Sequence, residues 1–197
     1  MTGIRVGFAM CGSFCTFDKA LSQMEELINQ GYEVIPIMSF NAFSTDTRFG
    51  KAVDFQKRIE ALCSRKIISE IRDAEPIGPK KMTDIMIVAP CTGNTAAKIA
   101  CAVTDTPVTM AVKSHLRQSK PVLICIATND ALGASAQNIG RLMNTRHFFF
   151  VPFSQDDPVK KPNSLVSDFS LIIPAMKLAM EEKQLQPVLS RMPCEKN

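Results

Sequence analysis

The stretch that most constrains this chain runs from Asp84 to Asp105, where a short apolar segment leads directly into a helical pattern. Residues 85–89 are uniformly apolar, as expected of a strand buried on both faces of a parallel sheet, and Pro90 is predicted to end that strand. Residues 96–103 have the periodicity of a helix. A strand that leads straight into a helix places unpaired N–H groups at the carboxyl edge of a sheet. Open α/β proteins bind ligands, and often anions, at this edge.

The turn inside this stretch carries small and polar residues. Thr92, Asn94 and Thr95 can cap the helix or contact a ligand, and Gly93 can let a flat ligand approach the backbone. Lys98, one turn further, can point at an anion, although a solvated lysine explains it at least as simply. The turn alone fits an ordinary threonine-capped helix start as well as it fits a binding site.

The rest of the chain repeats the alternation of strand and helix. Strands are predicted at 4–10, 32–38, 85–89, 121–127 and 147–153. Helices are predicted at 17–30, 48–63, 96–103, 107–118, 131–143 and 165–184, the last kinked or divided by Pro174. The pattern predicts one α/β domain over residues 1–185, with a loose C-terminal tail over 186–197. The expected architecture is a three-layer, Rossmann-like (flavodoxin-like) domain with a parallel sheet of about five to six strands.

Composition excludes several classes of protein. With 197 residues, 46% of them hydrophobic, the chain can bury one sizeable core. It has neither an apolar run long enough to span a bilayer nor a secretory signal pattern, so we expect a cytoplasmic protein without membrane contact. The net charge of +4 comes from scattered residues, and no nucleic-acid partner is expected. Seven cysteines without framework spacing and only two histidines predict reduced thiols and no metal site.

Two further turns are predicted at the same sheet edge. Gly12 and Ser13 follow the first strand and can hold a phosphate, although they match neither the dinucleotide fingerprint nor a P-loop. Asn129 follows the fourth predicted strand. His115 and His147 do not supply the partners of a nucleophilic serine, so Ser13 is interpreted as a phosphate contact.

A charged segment near the end of the chain has no assigned role from its pattern. It contains Asp156-Asp157-Pro158 and Lys160-Lys161-Pro162. A solvated loop is the default interpretation, and a lid or a subunit contact is the alternative.

Residues 88–105 resemble the flavoprotein family of homo-oligomeric, flavin-containing cysteine decarboxylases. The family pattern stands here as PCTGNTAAKIA over 90–100, followed by Asp105. The resemblance implies bound FMN at a site between subunits of a homo-oligomer, a trimer or a multiple of it. It implies these cofactor-binding residues: Gly12, Ser13, Thr92, Asn94, Thr95 and Asn129. Asn94 and Lys98 are candidates for contact with substrate.

Longer phrases such as GFAMCGSFCTF and FVPFSQDDP resemble one branch of that family, which forms half of a two-component oxidoreductase of sporulating bacteria. The branch implies a location in the cytoplasm of the mother cell. It also implies a small cyclic dicarboxylate substrate and a dinucleotide-binding partner subunit that carries NADP. The active-site histidine of the decarboxylases, expected after the second strand, has no counterpart in residues 39–53. Peptidyl-cysteine decarboxylation is therefore disfavoured, and no catalytic residue is assigned.

Two alternative functions remain open from the sequence. The chain can be a non-catalytic subunit that assembles or activates its partner and keeps only a vestigial phosphate or FMN site. It can also be a free-standing FMN-dependent enzyme of the decarboxylase type.

Overall fold

The computed structural model describes residues 3–190, whose strands form one sheet with apolar residues buried on both faces. Its strands are β1 Arg5–Met10, β2 Glu33–Met38, β3 Ile85–Cys91, β4 Val122–Thr128, β5 Phe148–Phe150, β6 Phe153–Gln155 and β7 Leu165–Ser167. Alternate residues of β1, β3 and β4 belong to two separate apolar clusters, one on each side of the sheet. A sheet with both faces covered explains why these strands are continuously apolar.

Helices cover both faces. Their bounds are α1 Phe17–Asn29, α2 Phe40–Ser44, α3 Ala52–Cys63, α4 Ile71–Ala74, α5 Gly93–Ala100, α6 Pro107–Leu116, α7 Ala136–Met143 and α8 Ile172–Met180. Helices α1, α3 and α8 pack on one face, and α5, α6 and α7 pack on the other. The three-layer architecture predicted from the sequence is confirmed. No helix within residues 3–190 is long and apolar enough to cross a bilayer.

The strand order places the ends of the parallel strands at one edge. Strands β2, β1, β3 and β4 are parallel neighbours in that order, and β5 pairs parallel to the first half of β4. The second half of β4 pairs instead with β7, antiparallel, and β6 lies outside β7. The sheet is therefore flavodoxin-like with an added antiparallel hairpin, and the turns after β1, β2, β3 and β4 share its carboxyl edge.

The prediction that Pro90 ends the third strand is wrong. Strand β3 continues through Pro90 to Cys91, and its pairing with β4 shifts register between Val88 and Cys91. A proline is tolerated inside a strand at such an irregularity, because the regular ladder does not need its missing N–H there. Helix α5 likewise begins at Gly93, three residues earlier than predicted, because Thr92 caps it.

The end of the chain differs most from the prediction. The predicted strand 147–153 is divided into β5 and β6 at Val151 and Pro152, and the predicted helix 165–184 contains β7 and only then α8. Pro174 is the third residue of α8. Because the first-turn N–H groups of a helix have no intrahelical acceptor, proline fits there without a kink.

Short segments pair with two of the outer strands of the sheet, β2 and β6. Ile68 bridges to Ile37 of β2, and Leu189 bridges to Phe153 of β6. The beginning of the predicted loose tail, 186–190, is therefore partly held, because β6 offers backbone N–H and C=O groups that need partners. The remainder of that predicted tail lies outside the described residues. In the segment that follows β2 a short helix, α2, forms, since Ser39 caps it by accepting from Ala42 N at 3.3 Å.

Candidate functional site

The turns after β1, β3 and β4 contact one another at the carboxyl edge. The buried Cys11 thiol at the end of β1 is within hydrogen-bonding reach of the Thr95 side chain and the Thr92 backbone, and burial raises its pKa to about 11. Gly93 at the start of α5 lies against the turn that follows β4. The structure therefore brings the predicted cofactor-binding residues of all three turns to one site.

The turn after β1 is held by its own backbone and leaves Gly12 available. Ser13 N donates to Cys11 O at 2.8 Å, and Ser13 O accepts from Thr16 N and Oγ1 at 3.0 and 2.8 Å. Gly12 is half-buried, and its N–H has no acceptor among the described residues. A Cβ at Gly12 would lie 3.4 Å from the Phe14 ring. The Gly12 N–H can therefore donate to a phosphate or carbonyl oxygen, as the predicted role of Gly12 in cofactor binding requires.

The three polar side chains at the start of α5 have different roles. Thr92 Oγ1 accepts from Thr95 N at 3.3 Å and donates to Thr95 Oγ1 at 3.1 Å, and Thr95 is buried. These two hydroxyls hold the turn together. Asn94 is exposed at the second position of the helix, and no described residue hydrogen-bonds to its side chain. Of the three, Asn94 is the one placed to meet a ligand.

Gly93 has a structural role that differs from the predicted one. A Cβ at this position would lie 2.7 Å from Asp130 Oδ1 and 2.8 Å from Thr128 Oγ1, and closer still to Ser135 Oγ. Gly93 thus permits contact between α5 and the turn after β4, and the approach of a flat ligand to its backbone stays a prediction. Asp130 accepts from the Thr128 and Ser135 hydroxyls, and these bonds lower its pKa, the one from Thr128 most.

Asn129 is exposed at the same edge and is linked to the loop between β6 and β7. Ser164 Oγ donates to Asn129 Oδ1 at 3.4 Å. Leu132 N donates to Asn163 O at 3.0 Å. The amide of Asn129 is therefore oriented by this loop, and its nitrogen still has donors to offer.

Lys98 is not directed at the edge. Its Nζ lies 2.9 Å from both carboxylate oxygens of Asp105, and the side chain is only partly exposed. Its Cα is also six residues beyond the helix cap, about 9 Å along the axis. The proposed contact of Lys98 with substrate has no support in this arrangement.

Both histidines lie away from the carboxyl edge. His115 is buried before β4, where Thr83 Oγ1 donates to Nδ1 at 2.7 Å and Nε2 donates to Pro121 O at 3.0 Å. Burial lowers its pKa to about 4, so the ring is neutral. His147 lies just before β5 and contacts Glu182. The interpretation of both as packing or surface residues agrees with these positions.

The buried thiols near the edge are not activated. Cys91 is fully buried, and burial raises its pKa well above that of an ordinary thiol, as expected for a packing residue. The cysteines among residues 3–190 are free. No group of three or more metal-ligating side chains occurs in that range.

Sequence reasoning missed several residues of the edge. Asn41, whose Cβ lies 3.9 Å from the Cβ position of Gly12, comes from the segment after β2, in which no individual residue was assigned to the site. Thr128, Asp130 and Ser135 form a hydrogen-bonded cluster that a T-x-D pattern can signal but does not specify. Ser164 is brought in by the β6–β7 hairpin, whose second strand lies in the segment predicted as helix.

A family model described as Flavoprotein matches residues 1–169. The chain belongs to this family. It is 48% identical over 189 residues to the B subunit of dipicolinate synthase from Bacillus subtilis (strain 168), and the match covers 96% of this chain and 94% of the relative. The family resemblance that the sequence motifs indicated is therefore confirmed.

Solved structures of similar proteins have the same fold. The crystal structure of the corresponding dipicolinate synthase protein from Bacillus halodurans matches with a TM-score of 0.89 and 42% identity, over 97% of this chain and 98% of that one. Burkholderia xenovorans DmrB, solved in complex with FMN and described as a cubic protein cage for redox transfer, matches with a TM-score of 0.68 and 16% identity, over 92% and 97% of the two chains. At that identity the second likeness supports the fold alone.

Proposed function

We propose that this chain is the B subunit of a dipicolinate synthase and acts with the dinucleotide-binding subunit of that enzyme. The near-full-length identity to a protein of that name carries the proposal. The reaction is the oxidation of a hydroxy-tetrahydrodipicolinate or dihydrodipicolinate to the aromatic dipicolinic acid during sporulation. NADP on the dinucleotide-binding subunit accepts the hydride equivalent, and the complex works in the cytoplasm of the mother cell.

We further propose that the carboxyl edge holds FMN. Family membership supports this, as does the FMN complex of a structural relative. The residues fit such a ligand: Gly12 offers an N–H without an acceptor, Asn94 an exposed amide, and the first turn of α5 the positive end of a helix dipole. A bound flavin would supply one- or two-electron transfer. Ser13 and Gly12 would hold the phosphate, and Asn94 and Asn129 would orient the ring or a carboxylate.

The chain is also proposed to be a homo-oligomer, a trimer or a multiple of it. The cage described for DmrB supports an assembly of many copies in this fold. Light scattering on the purified chain measures the number of protomers directly. A monomer at micromolar concentration would contradict this part of the proposal.

One observation favours a second candidate function, that of a non-catalytic assembly or activating subunit. Both histidines lie away from the carboxyl edge, and Thr92 and Thr95 use their hydroxyls within the turn. Within residues 3–190, the edge therefore offers binding groups and no histidine to transfer a proton near neutral pH. A free-standing decarboxylase is disfavoured for the same reason.

An absorbance spectrum from roughly 300 to 550 nm, with and without added FMN, separates these candidates. A retained flavin band supports a flavin-binding role. A colourless chain that does not bind FMN, yet raises the turnover of the dinucleotide-binding subunit, supports the assembly role. A chain that does neither would overturn both.

A further inference from the structure

The start of α2 lies directly beside the turn after β1. The Cβ of Asn41, the second residue of α2, is 3.9 Å from the position that a Cβ of Gly12 would have. The main chains of the same two segments are also joined, because Ser39 N donates to Met10 O at 3.0 Å. The Asn41 side chain therefore begins at the edge of the turn that carries Gly12 and Ser13.

Hydrogen bonds on both sides of Asn41 hold α2 in this position. Ser39 Oγ accepts from Ala42 N at 3.3 Å and caps the helix at its beginning. Further along, Phe43 O accepts from Gln56 Nε2 at 2.6 Å, which ties α2 to α3. Because Asn41 lies between these two bonds, its Cβ is held beside the turn.

The polar side chains of α2 and its cap differ in the groups that they leave for a ligand. Ser39 Oγ is used in the cap, and Ser44 Oγ donates to Phe40 O at 2.8 Å. The Asn41 side chain is exposed, and none of residues 3–190 hydrogen-bonds to it. An amide side chain has two N–H donors and a carbonyl acceptor. Of these three side chains, that of Asn41 keeps all of its hydrogen-bonding groups for a ligand.

Three neutral donors thus meet at the turn after β1. The Gly12 N–H has no acceptor among the described residues, and in the same range the Ser13 hydroxyl contacts Cys15 Sγ alone, at 3.9 Å. The Asn41 amide is the third donor. A phosphate group carries several oxygens that accept hydrogen bonds, and proteins often hold it through N–H groups rather than through cations. One phosphate group can therefore accept from all three residues.

The strand order gives these donors a defined place along the carboxyl edge. Across the sheet, β2 is followed by β1, β3 and β4. Asn41 follows β2 and Gly12 follows β1, whereas Asn94 and Asn129 follow β3 and β4. A phosphate between Asn41 and Gly12 lies at the β2 side of the edge, so the rest of its ligand extends along the edge towards β3 and β4.

We propose that Asn41 is a phosphate-binding residue, whose Nδ2 donates to the same phosphate group as the Gly12 N–H and the Ser13 hydroxyl. This inference rests on the proposed function for the identity of the ligand, FMN. It adds the segment after β2 to the site. It also gives the flavin a direction, with its phosphate between the turn after β1 and α2, and its ring towards Asn94 and Asn129.

The test replaces Asn41 in the full chain by alanine and by aspartate. Asn41→Ala removes the donor, and Asn41→Asp keeps the shape but places a carboxylate beside the expected phosphate. An acidic residue in the first turn of a helix is compatible with folding. The control is Asn29→Ala, at the exposed end of α1. Fluorescence titration measures the Kd of each variant for FMN and for riboflavin, which lacks the phosphate.

The two variants are expected to differ in size of effect. Asn41→Ala should raise the FMN Kd about fivefold, the effect of one lost hydrogen bond. Asn41→Asp should raise it at least about tenfold further, because the carboxylate and the phosphate repel each other. The Kd for riboflavin should be the same in all forms, and Asn29→Ala should match wild type with both flavins.

Two results would overturn the inference. Unchanged FMN affinity in Asn41→Asp would show that no phosphate lies near this side chain. Equal losses of affinity for FMN and riboflavin would show that Asn41 acts on another part of the flavin or only supports α2. Wild type binds FMN in both cases, so the proposed flavin site stands. A wild-type chain that binds neither flavin contradicts that site itself.

A second measurement does not depend on FMN. Titration of the chain with inorganic phosphate, followed by NMR, is expected to shift the backbone amide signals of Gly12 and Ser13 and the side-chain amide signals of Asn41. Wild type and Asn29→Ala should show the backbone shifts, and Asn41→Asp should not. No shift in wild type, or equal backbone shifts in Asn41→Asp, would contradict the phosphate site whichever ligand the protein binds.

Discussion

The two edges of the sheet use polar residues in opposite ways. At the amino edge, Asp84 accepts from Arg5 N, Nε and Nη2 at 2.9–3.0 Å and from Lys120 Nζ at 2.8 Å. His115 has a partner on each ring nitrogen. At the carboxyl edge, Gly12 and Asn94 have donors and acceptors that no described residue satisfies.

This difference separates polar residues that stabilise the fold from those available to a ligand. Polar groups at the amino edge are partly or fully buried and hydrogen-bond to one another, so removing one leaves its partners without a hydrogen bond. The Ser13 and Asn94 side chains at the carboxyl edge, in contrast, can be removed without leaving a buried group unpaired. Substitutions at the two edges should therefore change different observables, stability at one and binding at the other.

The largest effect is expected from Asp84→Ala. Four hydrogen bonds to the Asp84 carboxylate are lost, and two partly buried cations are left without their partner, so the free energy of unfolding should fall by about 3 kcal/mol. Urea denaturation measures the change. The matched control is Asp18→Ala, which breaks an exposed pair with Arg58 and should cost under about 0.5 kcal/mol. Equal losses of unfolding free energy in the two variants would show that the ion pairs of the amino edge stabilise the fold no more than an exposed pair does.

Acid should destabilise the amino edge through His115. Its pKa is lowered from 6.5 to about 4 in the folded protein, so the unfolded chain takes up the proton first as pH falls. Stability is fully present above about pH 7 and is lost as the pH falls from there towards 4, by about 2 kcal/mol at pH 5. Denaturation at pH 7.5 and 5 should show this slope in wild type and in His147→Gln. If His115→Gln keeps the same slope, another group is responsible.

Asn94→Ala is expected to lower dipicolinate synthesis by the reconstituted complex roughly tenfold, because an amide that contacts the ligand contributes about 1–1.5 kcal/mol. Thermal stability should be unchanged, since the side chain has no described partner. Asn29→Ala, at the exposed end of α1 near the amino edge, is the control and should keep full activity. Wild-type rates from Asn94→Ala would refute its contact with the ligand.

The smallest effect is predicted for Ser13→Ala. Among the described residues, its hydroxyl contacts Cys15 Sγ alone, at 3.9 Å, and is therefore available to donate to a phosphate. Loss of that hydrogen bond should raise the FMN Kd about fivefold. Fluorescence titration with FMN measures this, and riboflavin should bind both forms equally. An equal loss of riboflavin affinity would mean that Ser13 supports the turn and does not contact the phosphate.

Most of the architecture could be predicted because the central strands carry long, clear patterns. β3 is continuously apolar over its seven residues and β4 over the first six of its seven, and each strand leads directly into capping or turn residues. The same reasoning placed Gly12, Asn94 and Asn129 at one edge, as parallel strands require. Local patterns predict which residues reach the carboxyl edge, because in a parallel sheet the residues that follow each strand lie at that edge.

The errors concern elements whose identity depends on distant partners. β7 has three residues and becomes a strand by pairing with β4 and β6, which no local period of that length can signal. Thr95 and Lys98 lie in a recognisable motif, but their partners, Cys11 and Asp105, cannot be read from it. Packing of β1 against α5 brings Cys11 to Thr95, and the turn after α5 brings Asp105 to Lys98. Residue type predicts which hydrogen bonds and ion pairs these side chains can form, and the tertiary structure determines which of their polar groups are left for a ligand.

The short segments that pair with β2 and β6 have a consequence for how copies of this chain associate. An outer strand with a long row of unpaired N–H and C=O groups invites a neighbour to continue the sheet, which leads to open-ended polymers. Here Ile68 occupies part of one border and Leu189 part of the other. Addition of a further strand is therefore discouraged at these two borders, and a homo-oligomer of the kind proposed would have to form through helix faces and loops.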